Sequence, residues 1–326
     1  MTTTPLVSVV IATRNRAGLL ADTLGALIDQ TWPRDRFEIV VADNDSTDRT
    51  PAIVDAARQR AAAPAIRYLH VTARGKSHAV NAALREARGD LLALTDDDVL
   101  PEPDWIAGVA RAFDDPQVDF VAGRILPRWE MPPPPWMSPA LYGVLAVPDN
   151  GETPREIRLD GDGAVIPIGA NMAMRKTVVD RIGGLRADLG KLDGTLRTGE
   201  DHELYLRMIH AGYRGRYEPA ATVRHWVPRE RLVRPYFRRW LHQNGRDVAR
   251  LETAYTTTLR RWLGVPRYLW RQAIADAVAA IGAALAGDAR RRFAAALRLI
   301  WFGGYLRESW FGAGDAPAVS GRLAVG

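Results

Sequence analysis

Four apolar runs, each closed by polar residues, constrain this chain more than any other feature: 7–12 (VSVVIA), 37–42 (FEIVVA), 66–71 (IRYLHV) and 91–95 (LLALT). Stretches with helical periodicity lie between them, at 17–30, 51–62 and 77–88. Near-continuous apolar strands alternating with helices predict a largely parallel sheet covered by helices on both faces. A fifth strand is expected at 118–122, after a helix opened by Pro103, Asp104 and Trp105. From 126 to 166 the periodicity collapses into PRWEMPPPPWMSPALYG and a Gly/Asp-rich segment. So long an irregular stretch is expected to form the mobile wall of a site. Helices are expected again at 175–182 and 200–211, then a short strand at 221–224 leading to His225, and after it helices only, near 231–251, 258–285 and 289–310. The 326 residues therefore predict an α/β unit over 1–225 and an all-helical region over 226–326.

The chemistry is narrowed by what is missing. There is no cysteine, so disulfides, thiolate metal sites and cysteine nucleophiles are excluded, and a metal must sit on oxygen or imidazole. The first residues carry no basic segment ahead of a long apolar run, and no stretch reaches the roughly 20 apolar residues that span a bilayer. A cytoplasmic protein is expected. Charge is placed unevenly: residues 226–326 carry 17 Arg and Lys against 7 acids, out of 44 and 38 in the whole chain. A C-terminal basic surface suits an anionic partner such as phospholipid headgroups. Peripheral contact with the inner face of the plasma membrane through 226–326 is one expectation. A solvated basic face or a homodimer is the other, and nucleic acid is not expected.

Ligands of open α/β sheets collect at the carboxyl ends of the strands. Here those ends are Thr13, Arg14, Asn15; Asp43, Asn44, Asp45; and Asp96, Asp97, Asp98. Five carboxylates so close repel one another unless a cation or a bonding partner compensates, and a divalent metal is the simplest answer. Residues two apart in an extended segment face the same way, so Asp96 and Asp98 can share a ligand while Asp97 turns aside. Hard oxygen donors select Mn2+ or Mg2+, which bridge to substrate phosphates. The competing reading is that the aspartates cap the following turn. A second group, Glu200 and Asp201 in TGEDHEL, opens a helix. One such acid is an ordinary cap, but two cannot both be, which leaves one as a candidate general base. His225, in VRHW, is the third feature.

Together VSVVIATRNR, VVADNDSTDRT, GKSHAVNAALREARGD, LLALTDDD, GANMAMRK and TGEDHELYLRMIHAGYR resemble the family 2 glycosyltransferases of the GT-A fold, over about residues 7–225. The resemblance implies a Rossmann-like mixed sheet flanked by helices, here with a C-terminal all-helical extension. It implies inverting transfer of one sugar from a nucleotide-diphospho-sugar, UDP-sugars favoured, to a glycan or lipid-linked acceptor in cell-surface polysaccharide or glycolipid assembly. Thr13, Arg14, Asn15, Asp43, Asp45, Lys76, Asn81, Asp96 and Asp97 would then contact the donor. Asp98 and His225 would hold Mn2+ or Mg2+, and Asp201, supported by Glu200, would be the catalytic base. The processive members' Q-x-x-R-W is reduced here to Tyr236-Phe-Arg-Arg-Trp, keeping Arg239 and Trp240, which argues for single-sugar transfer. A nucleotidyltransferase or a non-catalytic nucleotide-sugar-binding protein is the alternative. ATRNRAG lacks a phosphate loop's glycine density, and TGED would be superfluous in a mere binder.

Overall fold

In this computed structural model residues 5–158, 164–190, 196–255 and 260–312 are described. They divide into two compact units, one of residues 1–128, 146–193 and 200–227, the other of 129–145, 194–199 and 228–326.

The first unit holds the expected strands β1 (Val7–Thr13), β2 (Phe37–Asp43), β3 (Ala65–His70) and β4 (Leu91–Asp96), then β5 (Val99–Pro101), β6 (Phe120–Trp129), β7 (Arg155–Ile157), β8 (Asn171–Arg175) and β9 (Gly215–Val227). Its helices are α1 (Ala17–Ile28), α2 (Thr50–Arg58), α3 (Lys76–Glu86), α4 (Trp105–Ala112), α5 (Lys176–Ile182) and α6 (Glu200–His210). One sheet runs β3-β2-β1-β4-β8-β6-β9-β5, with β7 beside β9. β1 lies parallel to β2 and β4, and β2 to β3, whereas β8 is antiparallel to β4 and β6. β2 is buried at every position and β1 at all but one, as near-continuous apolar runs require of strands covered on both faces. The parallel register sets Thr13 opposite Asp43, Asp43 opposite His70 and Ala12 opposite Asp96. Three strand ends are thus level, and their polar residues emerge on one edge.

β5 and β7 are additions to the expected strands, the strand expected at 118–122 runs from Phe120 to Trp129, and two further strands depart from the expectation. β9 is 13 residues long, not four, because Pro219 and the interleaved Arg216, Glu218 and Arg224 mask its alternation. β8, NMAMR, has no β-branched residue to mark it, yet it is buried at four of five positions between its two antiparallel neighbours. Its Asn171 is 2% exposed and satisfied throughout: Nδ2 donates to Arg124 O (2.9 Å) and Ala221 O (2.8 Å), and Oδ1 accepts from Trp105 Nε1 (2.9 Å). Gly123 stands against this amide, where a Cβ would lie 2.2 Å from Asn171 Nδ2. The stretch expected to be irregular, 126–166, contains the end of β6, a 3-10 segment Pro139–Leu145 and β7. Its residues 159–163 lie outside those described.

The second unit contains α7 (Arg234–Tyr255), β10 (Arg261–Trp262), β11 (Val265–Pro266), α8 (Arg267–Leu285) and α9 (Ala289–Phe311). The expectation of helices only is corrected by the β10-β11 hairpin. Leu263 and Gly264 turn it with φ of 50° and 76°, and Pro266 directly precedes α8, where its fixed φ suits a helix start. Residues 258 and 259 of the helix expected at 258–285 lie outside those described. α7 packs along α9 at a glycine crossing: a Cβ on Gly245 would lie 2.1 Å from Trp301 O, and one on Gly304 2.0 Å from His242 O. Arg246 and Arg250 of α7 pair with Glu308 of α9 at 2.9 and 2.5 Å. Trp136 inserts edge-on between Phe237 and Phe293, its ring centroid 5.2 and 5.1 Å from theirs. Among the described residues no helix is long and apolar enough to cross a membrane.

Candidate functional site

Asp96 ends β4, and Asp97 and Asp98 form the two-residue turn into β5. Thr23 of α1 fixes that turn, its single hydroxyl hydrogen shared between the carbonyls of Asp97 and Val99 (2.9 and 2.8 Å). The three carboxylates separate. Asp97, 4% exposed, turns inward to accept from Thr13 Oγ1 (2.8 Å) and Arg16 Nη1 (2.9 Å). Asp96 and Asp98 converge with His225, each offering one donor atom, all within 4.8 Å of one another. His225 gets there because β9 runs antiparallel to β5, which sets it opposite Val99. Its Nε2 faces Asp98 Oδ1 at 3.3 Å, and its buried Nδ1 has no hydrogen-bond partner among the described residues. Two carboxylates and an imidazole with a spare ring nitrogen fit a divalent cation of the Mn2+ type.

The crowding does not rest on such a cation alone. Arg16 Nη1 lies 2.9 Å from both Asp97 and Asp98, and Lys76 pairs with Asp96. Burial pushes the Asp97 carboxyl up to about 6, aided by the charge of Asp98 and opposed by Arg16. Lys76 and Arg16 are both held well above their ordinary values: burial works against their charge, but the neighbouring acids outweigh it. Arg16 is a residue the sequence reading passed over. Its position one turn after Thr13, where an arginine can reach back over the strand ends, was the available signal.

On the other side of Lys76, the first turn of α6 brings Glu200 and Asp201 into a small pocket of about 10 Å³, lined also by Asp96, Thr95 and Gly169. Asp201 is oriented at both oxygens, Oδ2 accepting from Gly169 N (3.0 Å) and Oδ1 from His202 N (2.9 Å). Glu200 is 8% exposed, and its Oε2 has no hydrogen-bond partner among the described residues. Burial, and then the charge of Asp201, push Glu200 up to about 7.

At the ends of β1 and β2, Asn15 and Asp45 both sit at positive φ, 51° and 62°, a conformation these residue types tolerate best after glycine. Asn15 clasps the second loop, its N–H donating to Ser46 Oγ (2.9 Å) and its Oδ1 accepting from Thr47 N (2.7 Å). Asp43 accepts from Ser46 N (2.9 Å) and Tyr68 Oη (2.7 Å), and Asp45 lies 3.2 Å from His70 Nε2. Arg14 borders the same loop, half-buried. The structure therefore assembles Thr13, Arg14, Asn15, Asp43 and Asp45 on one stretch of the sheet edge, and Lys76, Asp96, Asp98, His225, Glu200 and Asp201 on the next. Two expected donor contacts are engaged elsewhere. Asp97 is turned to Thr13 and Arg16, and Asn81 is tied to the backbone of Leu185, donating to its O (2.6 Å) and accepting from its N (2.8 Å). That amide latch anchors the loop after α5.

The family model described as glycosyl transferase family 2 matches residues 8–183, more than half of the chain. The chain belongs to this family. Among curated relatives it is similar to the pre-mycofactocin glycosyltransferase of Mycobacterium tuberculosis, 33% identical over 156 residues, which cover 48% of this chain and 31% of that protein. It is also similar to a succinoglycan biosynthesis protein of Rhizobium meliloti, 27% identical over 88% of this chain and 87% of that one. The chain spans less than two thirds of the length of the first curated relatives it matches, 31% and 55% of two of them. Among solved structures, a mannosyltransferase from Pyrobaculum calidifontis in complex with GDP-Man and Mn2+ superposes with a TM-score of 0.66, at 25% identity, over 95% of this chain and 88% of that one. The fold is GT-A.

Proposed function

We propose that this family 2 member is a metal-dependent, inverting glycosyltransferase that moves one sugar from a nucleoside-diphosphate sugar to an acceptor hydroxyl. The observation that carries the reading is the convergence of Asp96, Asp98 and His225 on one side of Lys76, with the oriented Asp201 and buried Glu200 on the other. Asp43, Asp45, Thr13, Arg14 and Asn15 form the nucleotide side of the edge. Asp98 and His225 would hold the cation, and Asp96 would contact the ribose and diphosphate of the donor. When bound, Mn2+ would neutralise the diphosphate and make it a better leaving group. Lys76 adds a fixed positive charge beside Asp96.

Asp201 takes the proton of the attacking hydroxyl, its carboxylate aimed by the Gly169 N–H. Glu200, with its titration point pushed up to about 7, adjusts the charge beside it. The catalytic part would be residues 1–225, and 226–326 an accessory part. The Pyrobaculum structure's GDP-Man and Mn2+ put GDP-sugars beside the UDP-sugars expected from the sequence. The acceptor is taken to be a glycan or a lipid-linked glycan.

The test is calorimetric titration of UDP- and GDP-sugars with and without Mn2+, followed by turnover assays on two variants. Asp201→Asn should keep donor affinity and lose about 10²- to 10⁴-fold in rate. Asp98→Ala should lose the Mn2+-dependent part of donor affinity. Equal losses of affinity and rate in Asp201→Asn would remove Asp201 as base. Unchanged Mn2+-dependent affinity in Asp98→Ala would remove the metal assignment.

A further inference from the structure

The aromatic, arginine-rich segments of α7 and α9 are the ones whose composition suggests an interfacial helix, yet the structure turns much of their apolar surface inward: Phe237 and Tyr305 are 0% exposed and Phe293 6%. The exposed apolar surface lies on α8. Ile274, Val278, Ile281 and Leu285 are 65%, 64%, 63% and 86% exposed. Their spacing of four, three and four residues puts them on one stripe. From Gln272 to Leu285 the only charged residue of α8 is Asp276, which is buried and pairs with Arg298 at 2.5 Å. At the N-terminal end of the helix the hairpin tip adds Trp262 and Leu263, each 59% exposed, and Trp310 is tied to that tip through Nε1 to Leu263 O (2.8 Å). Phe311, next to it, is 79% exposed. A soluble monomer rarely leaves so continuous an apolar strip in water.

Charge decides what covers it. The acids of α7 and the last turns of α9 are engaged internally: Glu252 accepts from Tyr268 and Tyr305, Asp247 from Thr198 and Gln243, and Glu308 pairs with Arg246 and Arg250, while the half-exposed Asp288 caps α9. Exposed arginines stand at both ends of the strip, Arg267 and Arg271 before it and Arg290, Arg291 and Arg292 after it, where Arg291 also pairs with Asp288 (3.4 Å) and Arg290 donates to Met137 O (3.3 Å). In a two-fold antiparallel pairing of α8 with a second copy, the arginines of one end would meet those of the other, without exposed acids on α8 to answer them. An anionic surface meets every one of them favourably. We infer that α8 and the Trp262-Leu263 hairpin tip form a docking face for an anionic phospholipid bilayer, the apolar strip lying in the headgroup boundary and the flanking arginines on lipid phosphates. This inference stands apart from the donor and metal assignments.

The full-length protein is tested by flotation with phosphatidylcholine vesicles, with and without phosphatidylglycerol, at low and high salt. Flotation is expected only with the anionic lipid and is weakened by salt. Arg267→Ala/Arg271→Ala should lower the partition coefficient roughly thirtyfold, at about 1 kcal/mol per basic residue near such a surface. Ile274→Glu/Ile281→Glu should lower it on the order of a hundredfold, with an unchanged circular dichroism spectrum and melting temperature. Absence of flotation, equal flotation on neutral and anionic vesicles, or a wild-type dimer that Ile274→Glu/Ile281→Glu converts to monomer would each overturn the inference. The last outcome would assign the face to a second copy.

Discussion

Replacing Glu200 with glutamine tests the electrostatics of the site without touching its shape. In the folded protein the Glu200 carboxyl titrates near 7, against an ordinary value of 4.5, because it is buried and stands beside Asp201. A carboxyl whose folded value is raised favours the folded state when protonated. Its contribution is fully present below about 4.5, declines as pH rises, and is lost once pH passes about 7. Each pH unit in that window is worth about 1.4 kcal/mol, so by about pH 8 the ionised Glu200 costs the fold about 3 kcal/mol. A glutamine side chain cannot ionise. The stability difference between Glu200→Gln and wild type should therefore be flat below about pH 4.5, rise in favour of the variant through neutrality and level off above it. For a chain of this size that corresponds to a relative gain of about 4 °C in melting temperature. An amide placed near Lys76 adds a constant penalty, so the slope and not the offset carries the result. Differential scanning fluorimetry from about pH 4 to about pH 9 reads it directly, with Asp201→Asn as a second background in which the rise should move to lower pH. A difference that stays constant across the window would refute both the burial and the pairing described for Glu200.

Arg16→Met should destabilise the protein by about 2 kcal/mol, a buried-pair loss discounted because Arg16 is about a third exposed; the Mn2+-induced rise in melting temperature should be larger in the variant, since Asp97 and Asp98 would have lost their own cation. An equal Mn2+ effect in the two proteins would show that Arg16 does not screen that cluster. Gly304→Ala should destabilise by at least about 2 kcal/mol, because its Cβ would overlap the His242 carbonyl where α9 crosses α7; urea titration followed by tryptophan fluorescence measures it, and a neutral effect would mean that the two helices separate easily.

Much of the first unit is legible in the sequence because its information is local. The runs at 7–12, 37–42 and 91–95 are apolar on both faces, so burial on both sides of a parallel sheet follows from them. The residues that close each run fall at the strand ends by covalent continuity, which brings Thr13, Asp43 and Asp96 to one edge. Glu200 and Asp201 are legible as a helix start for the same reason. What depends on partners remote in the chain was not legible. Asn171 is held by Trp105, Arg124 and Ala221, a set that exists only after β8 has inserted between β4 and β6. Arg16 as the counter-charge of Asp97 and Asp98, and Asn81 as the latch of Leu185, likewise join residues 81 and 104 positions apart. In the second unit composition alone points to the segments richest in arginine and tryptophan, but which face a helix shows to water depends on what it packs against. Gly245 and Gly304 let α7 and α9 close on each other, and that contact leaves the plain Ala/Ile/Val surface of α8 outside. Short-range hydrophobic pattern and chain continuity decided the sheet and its edge; the sharing of charge at that edge, and the surface left uncovered, were decided by packing across long separations.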